Sequence, residues 1–388
     1  MPDNDSLELL AHSTLTPYDV LGYIAPGATL FIAVLIFETY TKIATTALNV
    51  AVHTPIYSVV GYLLSDLRDA GWIFDALFLM ASIVTVYIAG HVIASVSALC
   101  IDRIYVEHAH GYPFELLLKL PPDPSHNKRT RPFYRALFFW LNAYFLMRYW
   151  VTWDLVWFQR STPSLLSVAA RTVGWGVVVL IVILITVQYG ERRRWAAQLI
   201  TQTRVRRAVC GTVEAIIMIV AFPYNAIAVL FGRYLHTENA FHETFRDQYQ
   251  RAFRNFFKSD PKQAGTNNFW FPVIHVKQQS PTLAELAENW HRLYSFARNL
   301  GAALYLAFLY CLVWLLEEGR YLAALSHYNT LVLLSVPLLF FAGALVMLIR
   351  YYYSYVAYYT KYVFRCFVYL SLIHPESASS AETEAESR

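Results

Sequence analysis

Charge is scarce in this sequence. Asp, Glu, Lys and Arg make up 15% of the 388 residues, while 57% are hydrophobic; soluble domains hold about 25% charged and about 45–50% apolar residues. A water-soluble fold would leave the surplus apolar surface against water, so that class is set aside and a bilayer is the expected surrounding. Cysteine is scarce too. Cys100, Cys210, Cys311 and Cys366 are scattered with no CxxC pair, which argues against a disulfide framework or a cysteine zinc site and leaves them as small packing residues. Catalytic signatures are missing: there is no HExxH, GxSxG, Walker loop or GxGxxG. No enzymatic activity, cofactor or metal is therefore expected. Met1 to Asp19 carries Asp3, Asp5, Glu8 and Asp19 but no Lys or Arg. A signal peptide needs a basic start, so the first apolar stretch is expected to remain as an anchor.

Long apolar runs are what the chain has instead. A helix crosses the hydrocarbon core with about 20 apolar residues, and six stretches qualify: Val20 to Tyr40, Trp72 to Leu99, Ala136 to Phe158, Leu165 to Tyr189, Leu300 to Leu316 and Thr330 to Ile349. The first opens on Thr16-Pro17-Tyr18-Asp19, a helix start with proline at the first position. Pro337 is placed to kink the last. A seventh stretch, Val209 to Phe231, is interrupted by Phe222-Pro223-Tyr224-Asn225 and holds Glu214. Broken backbone at that depth needs protein or a wet cavity around it.

Positive charge chooses between the topologies, because cytoplasmic loops are enriched in Lys and Arg. If the seventh stretch does not cross, then of the 31 Lys and Arg only Lys42, Arg68, Arg160 and Arg320 face outward, Arg148 and Arg171 stay in the membrane, and the rest lie inside. If it does cross, the bias weakens. The expected fold is an all-α polytopic bundle of six spans plus one re-entrant or interfacial segment, both termini cytoplasmic, with a small helical cytoplasmic module; seven spans is the alternative. The expected divisions are a cytoplasmic segment 1–19; a first membrane region 20–189 with a basic loop 100–135; a module 190–299 containing the re-entrant 209–231; a two-span region 300–349; a basic–aromatic helix 350–376; and a tail 377–388 that lacks an apolar pattern.

Within the module, Phe241, Phe245, Tyr249, Phe253 and Phe256 recur at nearly helical spacing with Arg246, Asp247, Arg251, Arg254 and Lys258 on the other faces, which predicts an amphipathic helix ended by Pro261 and Gly265. Ser280-Pro281-Thr282-Leu283-Ala284-Glu285 carries capping-box chemistry. No breaker follows before Leu316, so one long helix should run from the cytosol into the fifth span, a lever from a soluble sensor to the membrane. After the last span, Arg350, Ser354, Tyr358, Lys361 and Arg365 are spaced to share one helical stripe.

Polar residues inside spans cost roughly 2.5–3.5 kcal/mol each on insertion scales, so they are the candidate site residues. Arg148 and Asp154 lie in the third stretch, too far apart for a same-helix pair. His91 and Ser95, four apart, share a face of the second, with Ser97 nearby. They line a permeation path or act as interhelical glue. Glu38, Asp75 and Arg171 lie near span ends and are expected to snorkel; Gly22, Pro26 and Gly27 are expected to allow close packing or a kink. Glu107-His108-Ala109-His110 resembles a scrap of metal site but reads better as solvated loop. Arg192, Arg193, Arg194, Arg204, Arg206 and Arg207, together with Lys361 and Arg365, are candidate contacts for anionic lipid or an anionic ligand.

Tyr18-Asp19-Val20-Leu21-Gly22-Tyr23-Ile24-Ala25-Pro26-Gly27, Ala89-Gly90-His91-Val92-Ile93-Ala94-Ser95-Val96-Ser97 and the tyrosine- and arginine-rich exit of the last span resemble a group of uncharacterised bacterial multi-pass membrane proteins. Some similar members are anti-phage effectors that disturb the inner membrane. The resemblance implies a bacterial inner membrane and a channel-type effector, and it carries over no catalytic residue. The expected partners are the lipid bilayer, further copies of the chain, and a cytoplasmic protein or nucleotide signal; duplex nucleic acid is not expected. A gated pore or membrane effector is the leading expectation, with a secondary transporter or a non-transporting scaffold or sensor as alternatives.

Overall fold

Backbone donors and acceptors in hydrocarbon must be satisfied within the segment, which favours helices, and helices are what form. The computed structural model describes residues 20–46, 54–70, 72–102, 106, 111–120, 131–157, 167–178, 181, 240–322 and 327–373; no strand occurs among them. A π-helical turn, Val20–Ile24, leads into α1 (Ala25–Thr46), followed by α2 (Pro55–Ala70), α3 (Trp72–Ser97), the short α4 (Pro113–Leu118) and α5 (Arg131–Trp157). Then come α6 (Glu243–Phe257), α7 (Asn267–Gln279), α8 (Pro281–Leu322) and α9 (His327–Tyr353), a second π segment (Ser354–Thr360), and α10 (Lys361–Ile373).

Among the described residues four helical stretches are long and apolar enough to cross a membrane: Val20–Thr46, Ala76–Asp102, Pro281–Glu317 and Asn329–Tyr352. They coincide with the first, second, fifth and sixth expected spans. Large aliphatic residues lie exposed along them: Ile32, Ile36 and Ile43 on α1, Met80, Ile88 and Val92 on α3, Leu339 (68% exposed), Val346 and Ile349 on α9. A soluble protein rarely shows apolar surface on this scale; lipid-facing helices require it. The chain is a membrane protein. The third stretch forms the 27-residue α5, which has the length but not the apolarity of the other four. The fourth is described at 167–178 and 181, and the 209–231 stretch lies outside the described residues.

The chain divides into two units. One comprises residues 1–99, 152–160 and 291–353. There α1 and α3 approach backbone to backbone at two glycines: a Cβ on Gly27 would collide with the Val86 carbonyl, and one on Gly90 with the Tyr23 carbonyl. Small residues let membrane helices meet this closely, which is the packing role expected of Gly27. Between α8 and α9, Gly301 faces Ala344, Met347 and Leu348, and Gly343 faces Leu304. Phe37, Phe308, Cys311, Leu315 and Leu333 fill the interior, with the Trp314 ring edge-on to Phe37 at 5.3 Å.

The second unit comprises residues 100–151, 161–290 and 354–388. It contains an aromatic-cored module. The amphipathic helix expected from Phe241 to Phe256 forms as α6, with His242 accepting at its N-cap and Lys258 closing it in left-handed geometry (φ 48°). Tyr249 and Phe253 are buried, and so are Phe364 and Phe367 of α10. The tail helix thus completes the core begun by α6 and α7. So does α4, inside the expected basic loop: Phe114, Leu117 and Leu118 are buried, and its Leu117 carbonyl accepts the Phe241 amide at 3.0 Å. The expected stripe along the exit from α9 does not survive the π turn, because Ser354 is buried while Arg350 and Tyr358 are exposed. A π segment adds a residue per turn and shifts the register that an α-helical count assumes.

Candidate functional site

Two polar clusters are built into the apolar interior of the first unit. The first begins with the π turn. Asn299, buried on α8, donates from Nδ2 to the Gly22 carbonyl at 2.8 Å. Its Oδ1 accepts from the Ser97 hydroxyl at the end of α3 at 2.6 Å and from the neighbouring Arg298 Nε at 3.1 Å. One amide side chain thus joins three helices through hydrogen bonds of the interhelical type. Ser97 was among the expected polar residues; Asn299 and Arg298 were not, because they sit where the sequence passes from polar to apolar along one helix.

The second cluster centres on Glu38. It does not snorkel: Glu38 is 0% exposed, a correction to the expectation from its place near a span end. Helices pack around it before it can reach a surface. Its Oε1 accepts the Tyr310 hydroxyl of α8. Its Oε2 accepts the backbone amide of Tyr57, in the first turn of α2, at 2.6 Å. The amides of a helix's first turn have no intrahelical acceptor, and the partial positive charge there favours an anion, so Glu38 caps α2 from a neighbouring helix. Thr41 and Thr45, also buried, turn their hydroxyls to the carbonyls of Phe37 and Thr41. Tyr40 donates to Asn329 of α9 at 3.1 Å.

The expected site residues divide as follows. His91 is half-buried, stacked on Tyr23 with ring centroids 3.8 Å apart and met edge-on by Tyr87 at 4.5 Å; it is a packing residue of the α1–α3 contact. Ser95 is exposed. Arg148 is half-buried on α5 and has interaction partners. Asp154 stands on the last turn of α5. Lys361 is half-buried with its Nζ 6.0 Å from the Phe241 ring centre, while Arg365, one turn on, is exposed. Burial and the nearby Arg365 charge lower the Lys361 ammonium below its usual value. Arg192, Arg193, Arg194, Arg204, Arg206 and Arg207 lie outside the described residues, as do Glu107, His108 and His110. Among the described residues, no His, Cys, Asp and Glu cluster is arranged to hold a metal.

In the module, Pro272 sits inside α7. Having no N–H, it leaves the carbonyl four residues earlier, that of Asn268, without its helical donor. The Tyr249 hydroxyl fills that vacancy at 2.5 Å, and burial keeps this phenol protonated by raising it well above its usual value. His275 is packed against Phe256, Phe257 and Phe367 at centroid distances of 4.6, 6.1 and 5.5 Å, and desolvation lowers its imidazole below the ordinary 6.5. These features shape the aromatic core of the module; the polar groups clustered inside the first unit include Glu38, Tyr310, Asn299 and Arg298. The sequence matches no protein-family model, and no curated protein and no solved structure is significantly similar to it.

Proposed function

We propose that this protein is a gated pore or membrane effector of a bacterial inner membrane, in which the aromatic-cored module receives a cytoplasmic signal and α8 transmits it. The observation that carries the reading is α8 itself, one uninterrupted helix of 42 residues, about 63 Å long at the standard rise. Its first residues, to Trp290, belong to the unit that holds the module, and the remainder supplies Arg298, Asn299 and Tyr310 to the two polar clusters. In this reading α5 and the 165–189 stretch are the third and fourth spans, 209–231 is re-entrant, both termini are cytoplasmic, and several copies surround the conducting path. The anti-phage setting implied by the family resemblance belongs to the same proposal.

Purified protein reconstituted in dye-loaded liposomes tests it. Ion flux is expected from the wild type, and two glycines inserted after Trp290 should abolish its regulation by uncoupling the two halves of α8. Vesicles that stay tight for the wild type and for Asn299→Ala and Glu38→Gln alike would overturn the pore. A non-transporting scaffold is the second reading, favoured by the exposed Trp270 and Ile274 on α7 and Leu372 and Ile373 on α10; a stable soluble partner recovered with no conductance would select it.

A further inference from the structure

We propose that α10 lies in the plane of the bilayer interface, with Tyr369, Leu372 and Ile373 against lipid acyl chains and Arg365 at the headgroup phosphates. This holds whether or not the chain conducts. It starts from a helix that is apolar on two opposite sides. Val363, Phe364, Phe367 and Leu370 of α10 are buried in the module core. On the other side Tyr369, Leu372 and Ile373 are 57%, 64% and 48% exposed. With Arg365, also exposed, they are spaced to form one helical stripe. From Phe367 to Ile373 the polar side chains are the Tyr369 phenol and Ser371, and the Ser371 hydroxyl turns back to the Val368 carbonyl at 2.6 Å. A helix that is apolar all round is covered by protein or by lipid. In the same module α6 gives the contrast: its outward residues include Asp247, Arg251, Arg254 and Asn255, a face suited to water.

Connectivity and charge select lipid as the occupant. The membrane helix α9 exposes Val346 and Ile349 and passes into α10 through seven residues, Ser354–Thr360, which advance about 10 Å as a helix. A second passage of the chain into a membrane helix lies at Trp290 of α8, the last residue there that belongs to the module's unit. The two passages are joined within that unit: Trp290 stacks on Tyr358 with ring centroids 4.8 Å apart. Trp and Tyr collect at the membrane–water boundary, where one end of the ring system is apolar and the other wet. The Trp290–Tyr358 pair marks that boundary, and α10 begins three residues beyond it. Between Ser354 and Ile373 the charged residues are Lys361 and Arg365, with no Asp or Glu. The helix therefore carries only the sign of charge that lipid phosphates attract. An arginine stem laid along apolar surface with its head among phosphates is the usual interfacial arrangement, and the apolar face of such a helix sinks about 5–10 Å into the boundary.

The test uses the full chain in the membranes of the expressing cells. The photocrosslinker benzoylphenylalanine is placed singly at position 372 or, as the control on the polar face of α6, at position 255. Irradiation, digestion and mass spectrometry then read the adducts. Phospholipid adducts are expected at 372 and not at 255. With the probe at 372, Arg365→Glu, which sets a carboxylate among the phosphates, should lower the lipid-adduct yield several-fold, and Arg365→Lys should leave it unchanged. An adduct at 372 to a second copy or to a soluble protein in place of lipid overturns the proposal. So does the lack of any lipid adduct there, an equal lipid yield at 255, or a yield that Arg365→Glu does not lower. Both probe positions are exposed, so the fold is kept; if Arg365→Glu does not fold, the comparison of 372 with 255 decides it.

Discussion

Pro272 illustrates how a single residue sets a requirement far away in the chain. The missing amide hydrogen on α7 is answered by a phenol on α6, so Tyr249→Phe should cost about 1–3 kcal/mol, the range for leaving a buried carbonyl unpaired. Thermal unfolding in detergent would read this as a lowered midpoint. Pro272→Ala restores the helical donor, so Tyr249→Phe should cost measurably less in that background, and a double-mutant cycle would report the coupling. Asn299→Leu should destabilise by about 1–2 kcal/mol, toward the upper end for interhelical bonds in membranes, since it removes bonds to Gly22 and Ser97 together. Neither role was legible from spacing. Pro272 and Tyr249 lie 23 residues apart, and Glu38, read as a span-end residue, is claimed by partners 19 and 272 residues away. Polarity in a span marks a residue as important; its partner is set by tertiary packing.

The elements that could be read were those with a clear period or a clean break. α6 showed its aromatic face, and the Ser280-Pro281 start announced α8; there the Ser280 carbonyl accepts the Ala284 amide at 3.0 Å. Three helices were missed. α2 had its signal in Thr54-Pro55, a cap followed by proline at the first position, α4 is too short to show a period, and α7 carries Pro272 inside it, which reads as a helix breaker. The π turns were invisible, because no residue pattern specifies an extra residue in a turn. Within α7, His275 gives the module a predictable acid sensitivity. Its folded-state value lies below the unfolded one of about 6.5, so as pH falls through that value the unfolded chain takes up a proton first. Stability is present above it and declines below it. Denaturant melts followed by Phe and Tyr signals should show this decline, and His275→Phe should flatten it. Between α1 and α3, Gly90→Val should push the helices apart against the Tyr23 carbonyl, at a cost of roughly 1–3 kcal/mol or more by overpacking; the measurement is the yield of monodisperse protein after solubilisation.

At the scale of the whole molecule, composition alone identified the solvent correctly, since a chain this poor in charge displays aliphatic faces on α1, α3 and α9. The proposed orientation makes a direct prediction: a cysteine replacing Arg365 should react with an impermeant maleimide in inverted vesicles and stay protected in right-side-out spheroplasts. The arrangement of the two polar clusters also bears on biogenesis. The first span enters the bilayer early in synthesis, yet its bonds to α8 join residues 272 and 277 positions apart. At about 5–20 residues per second, the Gly22 carbonyl and the Glu38 carboxylate wait tens of seconds for Asn299 and Tyr310 to leave the ribosome. Until then α1 is a nascent segment with its polar groups half-answered, and slowing translation downstream of α3 should expose it to membrane proteases.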